Sequence, residues 1–296
     1  MKAKLSSFLR KMTWSRIQNT LHIKLLLLSL LLLFLFLLLL RPTPSSSPSP
    51  EVTTTASTST TTTAPATACY SKIPETLAET IIHYATSNTT PQQTHAEISV
   101  TARVLQRRSP CRFLVFGLGL DSPMWAGLNH GGRTVFLEED ESWIATVLAR
   151  FPSLETYHVR YDTRVRDADA LMEIGRRPEC SSTETTELRG SPCGLALKGL
   201  PDVFYDEEWD LIMVDAPTGW IPEAPGRMGA IYTAGMAARG RKAEGETDVF
   251  VHDVDRKVED EFSKEFLCEG YLREQVGRLR HFSIPSYMKK MLPFCP

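Results

Sequence analysis

Two glycines and a carboxylate stand at the spacing of a nucleoside-binding site. Gly117 and Gly119 follow the apolar run 113–116, and Glu138 stands nineteen residues beyond Gly119, directly after the apolar run 135–137. Glycines let a ligand approach the backbone where a strand turns into a helix, and a carboxylate ending the next strand can accept hydrogen bonds from both hydroxyls of a ribose. The alternative is a tight turn without a ligand, followed by a solvated acid at a helix start.

Two further apolar runs end in side chains that can handle protons or metal ions. Asp215 directly follows the run 211–214, and His252 and Asp253 directly follow the run 249–251. If these runs are neighbouring parallel strands, Asp215 and Asp253 lie close enough to hold a divalent ion or to accept a proton from a hydroxyl group. The alternatives are a loop cap for Asp215 and a buried, hydrogen-bonded imidazole for His252.

The elements that must position these residues form an α/β pattern. Short apolar runs alternate with helical patterns, which is typical of a mostly parallel sheet built from βαβ units. The four runs named above are apolar on both faces, as strands covered by helices on each side must be, and residues 157–161 are a less certain strand. The predicted fold is an open, doubly wound α/β domain, in which ligands bind beyond the carboxyl ends of the strands.

Capping residues predict where three of the helices begin and end. The start signals are Ser122 with Pro123, Pro225 with a stop at Gly240, and Asp255 with a stop at Gly270. In the last of these helices Val258, Phe262 and Phe266 recur every four residues and predict a buried stripe.

An uninterrupted apolar run precedes this domain. Residues 25–40 are Leu and Phe with one Ser, which predicts a membrane anchor of about 24 Å, short of a ~30 Å hydrocarbon core and better matched to the thinner ER or Golgi bilayers. Six cations precede the run, so residues 1–24 are predicted to be a cytosolic tail and the rest of the chain to be lumenal. A cleaved signal peptide is the alternative.

The segment after the anchor differs in composition from the rest. Residues 41–68 are almost entirely Pro, Ser, Thr and Ala, which predicts a disordered stem, and a lumenal domain is expected over residues 69–296. All six cysteines lie in that domain, and Cys180 with Cys193, which bracket a polar loop, are the first choice for a disulfide. Asn88 opens an N-glycosylation sequon, which agrees with a lumenal location.

The charge distribution argues against one class of partner. Seven of the 33 Lys and Arg residues lie in the first 41 residues, which leaves 26 cations against 35 anions in the remainder, a net charge of −9. Such an acidic body repels a polyphosphate backbone, so the chain is not expected to bind nucleic acid.

Three long stretches closely resemble the plant glucuronoxylan 4-O-methyltransferase family. They are FLVFGLGLDSPMWAGLNHGGRTVFLEED (113–140), EEWDLIMVDAPTGWIPEAPGRMGAIYTA (207–234) and VFVHDVDRKVEDEFSKEFLCEGY (249–271). The resemblance implies a Golgi type II enzyme with a class I methyltransferase sheet, which moves the methyl group of S-adenosylmethionine to O4 of glucuronic acid on xylan. Relatives in the family act on arabinogalactan glucuronate, so the acceptor polysaccharide stays open.

The resemblance places the donor site on particular residues. The glycine turn falls on Gly117 and Gly119 and the ribose-binding acid on Glu138, while the third glycine position holds Asp121. Hydrogen bonding to the methionine amino group is therefore expected from Asp121 or Asp215. Trp143, five residues after Glu138, is placed to flank the adenosine.

The resemblance also suggests a metal site. The metal-dependent small-molecule O-methyltransferases place ion ligands at the ends of the fourth and fifth strands, where this chain has Asp215 and Asp253. The sequence does not locate a third ligand, so the divalent metal is an open expectation.

Acceptor chemistry requires a proton acceptor and a group that binds a carboxylate. A sugar hydroxyl must lose its proton as the methyl group transfers, and Asp253 with His252 are the predicted base. A glucuronate carboxylate favours a bidentate donor, for which Arg227 is the leading candidate; its alternative is a surface arginine that pairs with Glu223. Trp125, Trp220 and Tyr232 could stack on sugar faces. For Trp125 a position in the core is the expected alternative.

Two other classes of protein fit part of the pattern. A Golgi glycosyltransferase would share the anchor and stem, and Asp253 with Asp255 would form its D-x-D nucleotide-sugar site, although Asp255 also suits a helix cap. A non-catalytic wall-assembly protein with the same fold is the third hypothesis.

Overall fold

The computed structural model describes residues 74–88, 90–181, 188–287 and 292–296. All of them belong to the second of the two units into which the chain divides, Ala68–Pro296. The predicted tail, anchor and stem lie outside the described residues. Among the residues that are described, no helix has the length and apolar character needed to cross a membrane.

Within the described residues seven strands form one sheet, and the carboxyl ends of four of them border the site. The strands are β1 (Arg112–Phe116), β2 (Arg133–Glu138), β3 (Glu155–His158), β4 (Leu211–Val214), β5 (Glu246–Val251), β6 (Leu272–Val276) and β7 (Leu279–Pro285). They lie in the order β3-β2-β1-β4-β5-β7-β6, with β1 to β5 parallel to one another and β7 antiparallel to β5. Phe116 pairs with Val214, and Val214 pairs with Val251, so the residues that follow these three strands meet at one edge.

Helices cover both faces of this sheet. They are α1 (Glu75–Thr86), α2 (His95–Arg108), α3 (Ser122–Leu128), α4 (Glu141–Arg150), α5 (Ala168–Gly175), α6 (Pro178–Ser181), α7 (Asp202–Asp206), α8 (Met228–Arg239) and α9 (Lys257–Phe262). Alternate residues of each central strand enter separate cores: Leu114 and Phe116 pack in one, and Phe113 and Val115 in the other. The prediction of strands that are apolar on both faces is confirmed.

The predicted helix starts were displaced by a few residues. Helix α8 begins at Met228 and not at Pro225, because Gly226 N donates to Thr163 O at 3.2 Å and Pro225 bridges to Arg164, which holds this segment extended. The helix does end at Gly240, as predicted. The N-cap of α3 is Asp121, one residue before the predicted Ser122.

The helix predicted from Asp255 to Gly270 is divided into three segments. Its N-cap is Arg256 and Asp255 is exposed, so the prediction that Asp255 caps the helix is wrong. The α-helical turns end at Phe262, a π-helical segment covers Ser263–Cys268, and a 3₁₀ turn covers Glu269–Tyr271. The stripe of Val258, Phe262 and Phe266 is buried as predicted.

Sequence patterning missed the antiparallel edge and misplaced one strand. The hairpin of β6 and β7 and the helices α1 and α2 were not predicted, and the uncertain strand at 157–161 lies at Glu155–His158. The predicted disulfide between Cys180 and Cys193 is confirmed. A second one joins Cys268 to Cys295 near the carboxyl terminus.

Candidate active site

The carboxyl ends of the central strands open into one cleft of about 720 Å³. The segments after β1 and β2 form one half of it, and the segments after β4 and β5 form the other. Eight of the nine predicted site residues line it: Gly117, Gly119, Asp121, Glu138, Trp143, Asp215, Arg227 and Asp253. The ninth, His252, is completely buried and is not among the described residues of the lining.

The glycine turn after β1 packs closely against its neighbours. Gly117 has a φ of +126°, which side-chain-bearing residues rarely adopt, and a Cβ there would lie 3.2 Å from the Cβ of Ala216. A Cβ on Gly119 would lie 2.4 Å from Oδ1 of Asp121, because the Asp121 side chain folds back over this glycine. The turn therefore brings bare backbone to the cleft, as a bound nucleoside requires.

Glu138 is held in place by the backbone around it. It is 8% exposed, its Oε2 accepts from Leu118 N at 3.1 Å, and its Oε1 accepts from Glu139 N at 2.8 Å and from Asp140 N at 3.1 Å. A carboxylate has about four acceptor positions, so these three bonds fix its orientation and leave capacity for a ligand hydroxyl. Nε1 of Trp143 donates to Leu118 O at 2.8 Å, which fixes the indole against the same turn.

Asp121 ends the glycine turn, lines the β1–β2 half of the cleft and has a raised pKa. Burial, and secondarily the nearby charge of Asp215, raise the pKa of Asp121 to about 6. A carboxylate that is costly to ionise is stabilised by an incoming cation. Asp121 therefore suits a cationic amino group, as the resemblance suggested.

Asp215 is the carboxylate that the other half presents to the cleft. Its Oδ1 lies 3.0 Å from Nδ1 of His252, and its Oδ2 accepts from Nε2 of Gln93 at 3.1 Å. Burial alone would raise the pKa of Asp215, but the hydrogen bond with His252 and the charge of Arg227 outweigh it and hold the pKa below its ordinary value. Asp215 therefore stays ionised and oriented at neutral pH.

His252 contacts Asp215 from the buried side, away from the cleft. Its Nε2 lies 3.9 Å from Oε2 of Glu97, a buried carboxylate that also accepts from the backbone nitrogen of Arg278 at 2.7 Å. Burial tends to raise the pKa of Glu97, but the backbone hydrogen bonds from Thr94 and Arg278 hold it below its ordinary value. These contacts support the buried-histidine alternative, in which the imidazole positions Asp215 and does not touch the acceptor.

Asp253 is buried and surrounded by guanidinium groups. Its backbone has a φ of +61°, and its oxygens lie 2.6 Å from Nη1 of Arg278, 2.8 Å from Nη2 of Arg256 and 3.1 Å from Nη2 of Arg227. Acceptor positions used in this way are not free for a substrate proton. The geometry favours Asp215 over Asp253 as the base, and Asp253 as the residue that organises the arginines.

Arg227 connects the two loops of this half. It is 3% exposed, and it donates to three carbonyl oxygens: those of Pro217 at 2.8 Å, His252 at 3.0 Å and Asp215 at 2.7 Å. The alternative of a surface arginine that pairs with Glu223 is wrong, because its ion-pair partners are Asp215, Asp253 and Glu259. A substrate carboxylate would have to compete with those carbonyls for Arg227.

The predicted metal ligands do converge. Donor atoms of Asp215, His252 and Asp253 all lie within 4.8 Å of one another, so His252 is the candidate for the third ligand that the sequence did not locate. Carboxylate oxygens and an imidazole nitrogen fit a divalent cation in type. A cation already lies between the two carboxylates, however, because Nη2 of Arg227 is 3.4 Å from Oδ1 of Asp215 and 3.1 Å from Oδ2 of Asp253, so a metal ion would have to displace it.

The three aromatic candidates have different environments. Trp125 is buried edge-to-face against Phe113, which confirms the core alternative. Tyr232 is also buried and donates to Cys180 O at 3.0 Å, so the idea that it stacks on a sugar is wrong. Trp220 is 71% exposed on the wall of the cleft, where an indole is free to meet a ligand.

Four residues around the site were missed. They are Gln93, Glu97, Arg256 and Arg278. The sequence did carry one signal for them, since Thr94 and Glu97 have the spacing of a capping box and form one at the start of α2. The contacts of Gln93 with Asp215 and of Glu97 with His252 join distant parts of the chain, which no local pattern reveals, whereas Arg256 pairs with Asp253 only three residues before it.

The fold and the cleft define a class of protein. The parallel strands with the antiparallel β7 between β5 and β6 form the sheet of the class I methyltransferases, and the glycine turn and Glu138 lie where that class binds its donor nucleoside. The model of the IRX15/IRX15L/GXM family matches residues 96–282. The chain belongs to this family.

Named relatives extend the comparison. Glucuronoxylan 4-O-methyltransferase 3 of Arabidopsis thaliana is 63% identical over 233 residues, covering 78% of this chain and 77% of that protein. Arabinogalactan O-methyltransferase 2 of the same plant is 56% identical and covers 70% and 72%. Protein IRX15-LIKE of Arabidopsis thaliana is 38% identical, and the match covers 76% of this chain and 72% of that protein.

Proposed function

We propose that this chain transfers the methyl group of S-adenosylmethionine to O4 of the glucuronic acid side chains of glucuronoxylan. The observation that carries this proposal is a single cleft in which the nucleoside-type turn of Gly117 and Glu138 faces the ionised Asp215. The 63% identity to a glucuronoxylan 4-O-methyltransferase supplies the acceptor class.

The β1–β2 half of the cleft suits the donor. Glu138 is oriented to accept from ribose hydroxyls, Trp143 borders the adenosine position, and Asp121 offers a carboxylate for the methionine amino group. The bound donor supplies an activated methyl group on a sulfonium. The protein's task is therefore alignment, and positioning two reactants can itself contribute ~7 to 11 kcal/mol.

The β4–β5 half suits the acceptor hydroxyl. As the sugar oxygen forms its bond to the methyl carbon, the bond between carbon and sulfur breaks and its electron pair stays on sulfur. The hydroxyl proton passes to the carboxylate of Asp215, which His252 and Gln93 hold toward the cleft. The products are a methyl ether and S-adenosylhomocysteine, and Asp215 returns its proton to water.

A divalent ion is the second way to activate the hydroxyl. The ligands would be Asp215, His252 and Asp253, and the ion would polarise the hydroxyl as a Lewis acid. Assays with EDTA and added divalent cations separate this role from direct base catalysis.

Arabinogalactan glucuronate is the second candidate acceptor, favoured by the 56% identity to an arabinogalactan O-methyltransferase. The glycosyltransferase alternative loses support, because Asp255 of the D-x-D pattern is exposed and is absent from the described lining of the cleft. A non-catalytic role is kept as an outcome of the assay, since Protein IRX15-LIKE is also a relative.

We further propose that the enzyme acts in the Golgi lumen as a single-pass type II membrane protein. The support is the apolar run 25–40 with six cations before it.

The decisive experiment is an acceptor panel. The full chain, solubilised in detergent, is incubated with methyl-labelled S-adenosylmethionine and with glucuronoxylan, arabinogalactan or unsubstituted xylan, and a parallel reaction contains UDP-sugars. We expect label on glucuronoxylan, with the methyl group at O4 by NMR. Label on arabinogalactan alone would change the acceptor, sugar transfer from a UDP-sugar would indicate a glycosyltransferase, and no transfer would leave the assembly role.

A further inference from the structure

We propose that Arg256, and not Arg227, binds the carboxylate of the acceptor uronate, and that Trp220 beside it packs against a sugar ring of the same polysaccharide. The ligand class is therefore an anionic hexuronate carried on a neutral glycan. This inference rests on the proposed function for the identity of the acceptor, but its first test is a binding measurement.

Three arginines surround Asp253, and their exposure separates them. Arg227 is buried and donates to three carbonyl groups. The side chains of Arg256 and Arg278 are 32% and 39% exposed, but of these two only Arg256 belongs to the described lining of the cleft. Arg256 is thus the guanidinium that a ligand in the cleft can reach.

The charge around Asp253 leaves a cation for an incoming anion. Among the described ion pairs, Asp253 is the only carboxylate partner of Arg256 and of Arg278. Arg227, the third arginine, has Asp215 and Glu259 as further partners. One carboxylate neutralises one guanidinium at most, so the partly exposed pair of Arg256 and Arg278 retains positive charge that attracts a carboxylate.

Arg256 is also held in a fixed orientation. Its Nη1 donates to Thr218 O at 2.8 Å, and its Nη2 lies 2.8 Å from Oδ2 of Asp253. A planar guanidinium that is already ordered loses less conformational entropy when it binds an anion. The same bond ties Arg256 to the loop that carries Trp220, and we call this charged group and the exposed indole the rim of the cleft.

Trp220 supplies the apolar part of this rim. Its exposure of 71% on the cleft wall is unusual for the largest aromatic residue, whereas the neighbouring Ile221, 39% exposed, is not among the described residues of the lining. An indole offers a broad flat surface with little conformational entropy to lose. Such a surface fits the apolar face of a pyranose ring, whether or not that sugar is charged.

The test measures binding before it measures methyl transfer. Gel mobility is compared for four full-length proteins: the wild type, Arg256→Gln, Arg256→Lys and Arg278→Gln. One set of gels contains glucuronoxylan, and the other contains the same polymer after chemical reduction of its uronates to glucose. We expect the wild type to bind glucuronoxylan more tightly than the reduced polymer, and Arg256→Gln to lose about 10- to 100-fold on glucuronoxylan and little on the reduced polymer. Arg278→Gln is the matched control, because it removes a similar contact with Asp253 outside the cleft wall.

Each outcome decides the question. Partial recovery in Arg256→Lys and a preference for glucuronoxylan retained in Arg278→Gln support the subsite. If Arg256→Gln loses affinity equally for both polymers, Arg256 only positions the loop and the proposal is overturned. The proposal is also overturned if Arg278→Gln loses the preference for glucuronoxylan to the same extent as Arg256→Gln. Trp220→Ala should weaken binding of both polymers alike, and Ile221→Ala should weaken neither.

Failure of the proposed function is recognised separately. A wild-type protein that binds glucuronoxylan through its uronates but transfers no methyl group retains the Arg256 subsite and loses the activity. A protein that transfers methyl groups to glucuronate with unchanged efficiency in Arg256→Gln retains the activity and loses the subsite.

Discussion

Nδ1 of His252 lies 3.0 Å from Oδ1 of Asp215 and joins the ends of two neighbouring strands. His252 follows β5 and is completely buried, whereas the side chain of Asp215 follows β4 and is 23% exposed at the cleft. The pair therefore has a buried member and a member that a substrate can reach. In the proposed reaction this arrangement favours Asp215 as the proton acceptor and His252 as the residue that orients it.

Asp215→Asn should abolish most of the turnover and leave donor binding intact. The substitution keeps the size of the side chain and removes the proton acceptor, so we expect kcat to fall by about 10² to 10⁴. Steady-state kinetics with glucuronoxylan and calorimetry with S-adenosylhomocysteine measure the two effects. Near-normal kcat in a folded variant would remove Asp215 from the chemistry.

His252→Asn provides the comparison for that variant. Because His252 acts through Asp215, its loss should lower kcat less than Asp215→Asn does and should leave the donor affinity unchanged. The acid limb of the kcat/KM profile should also move to higher pH, since the imidazole hydrogen bond is one of the contacts that hold the pKa of Asp215 down. An unchanged pH profile would mean that His252 has only a structural role.

Glu138→Ala should chiefly weaken the donor. The carboxylate is 8% exposed and oriented by three backbone nitrogens, so its removal takes away the acceptor for the ribose hydroxyls. Three of the roughly four acceptor positions are taken by backbone nitrogens, so we expect S-adenosylhomocysteine to bind more weakly by about 1.5 to 3 kcal/mol, the cost of one charge-assisted hydrogen bond. Glu141→Ala, which removes an exposed acid three residues away, is the control and should bind normally.

The central strands and the donor turn could be predicted because their signals are local. Apolar runs buried on both faces mark β1, β2, β4 and β5, and the polar residue after each run lies at the cleft by the geometry of a parallel sheet. The edge hairpin was missed because β6 is largely exposed, with Leu272 37% accessible, and therefore has no apolar pattern.

The residues that bind the acceptor could not be ranked from sequence. Arg227 lies close to Asp215 along the chain, and only the fold reveals that three carbonyl oxygens use its donors. Arg256 was overlooked because its partners include the carbonyl of Thr218, 38 residues away. Long-range pairing of this kind depends on how the loops after β4 and β5 meet, which neither periodicity nor spacing encodes.

Donor binding should depend on pH through Asp121. Burial and the charge of Asp215 raise the pKa of Asp121 from 3.8 to about 6, so this side chain is largely protonated at pH 5 and ionised at pH 7. A cationic amino group favours the ionised form, so affinity for S-adenosylhomocysteine should rise as pH increases from 5 to 7. Calorimetry at both pH values checks this, and Asp121→Asn should flatten the dependence; a variant that keeps it would exclude Asp121.

The stability of the protein should change with pH in the opposite direction to its donor affinity, again because of Asp121. A carboxyl whose pKa is raised on folding binds its proton more tightly in the folded state, so it contributes stability at low pH that is lost as pH rises through about 6. Between pH 5 and pH 7 the free energy of unfolding of the wild type should therefore fall relative to that of Asp121→Asn. Denaturant unfolding at the two pH values measures the difference.

Asp253→Asn should destabilise the fold as well as lower activity. Loss of this buried charge leaves three guanidinium groups short of a carboxylate, at an expected cost of about 2 to 3 kcal/mol in the free energy of unfolding, less than for a fully buried pair because two of the arginines are partly exposed. Asp255→Asn, at an exposed position two residues away, should cost nothing measurable. An equally stable Asp253→Asn protein would show that the arginines do not need this anchor.

The lumenal orientation should be visible at Asn88. This residue is exposed and begins the only sequon in the chain, so an enzyme that transfers glycans in the ER lumen can reach it if residues 69–296 are translocated. In microsomes, glycosidase treatment should increase the gel mobility of the wild type and leave Asn88→Gln unchanged. Protease added to sealed microsomes should spare residues 69–296 and should digest them once detergent opens the vesicles. Digestion before detergent is added would reverse the orientation inferred from the six cations that precede the apolar run.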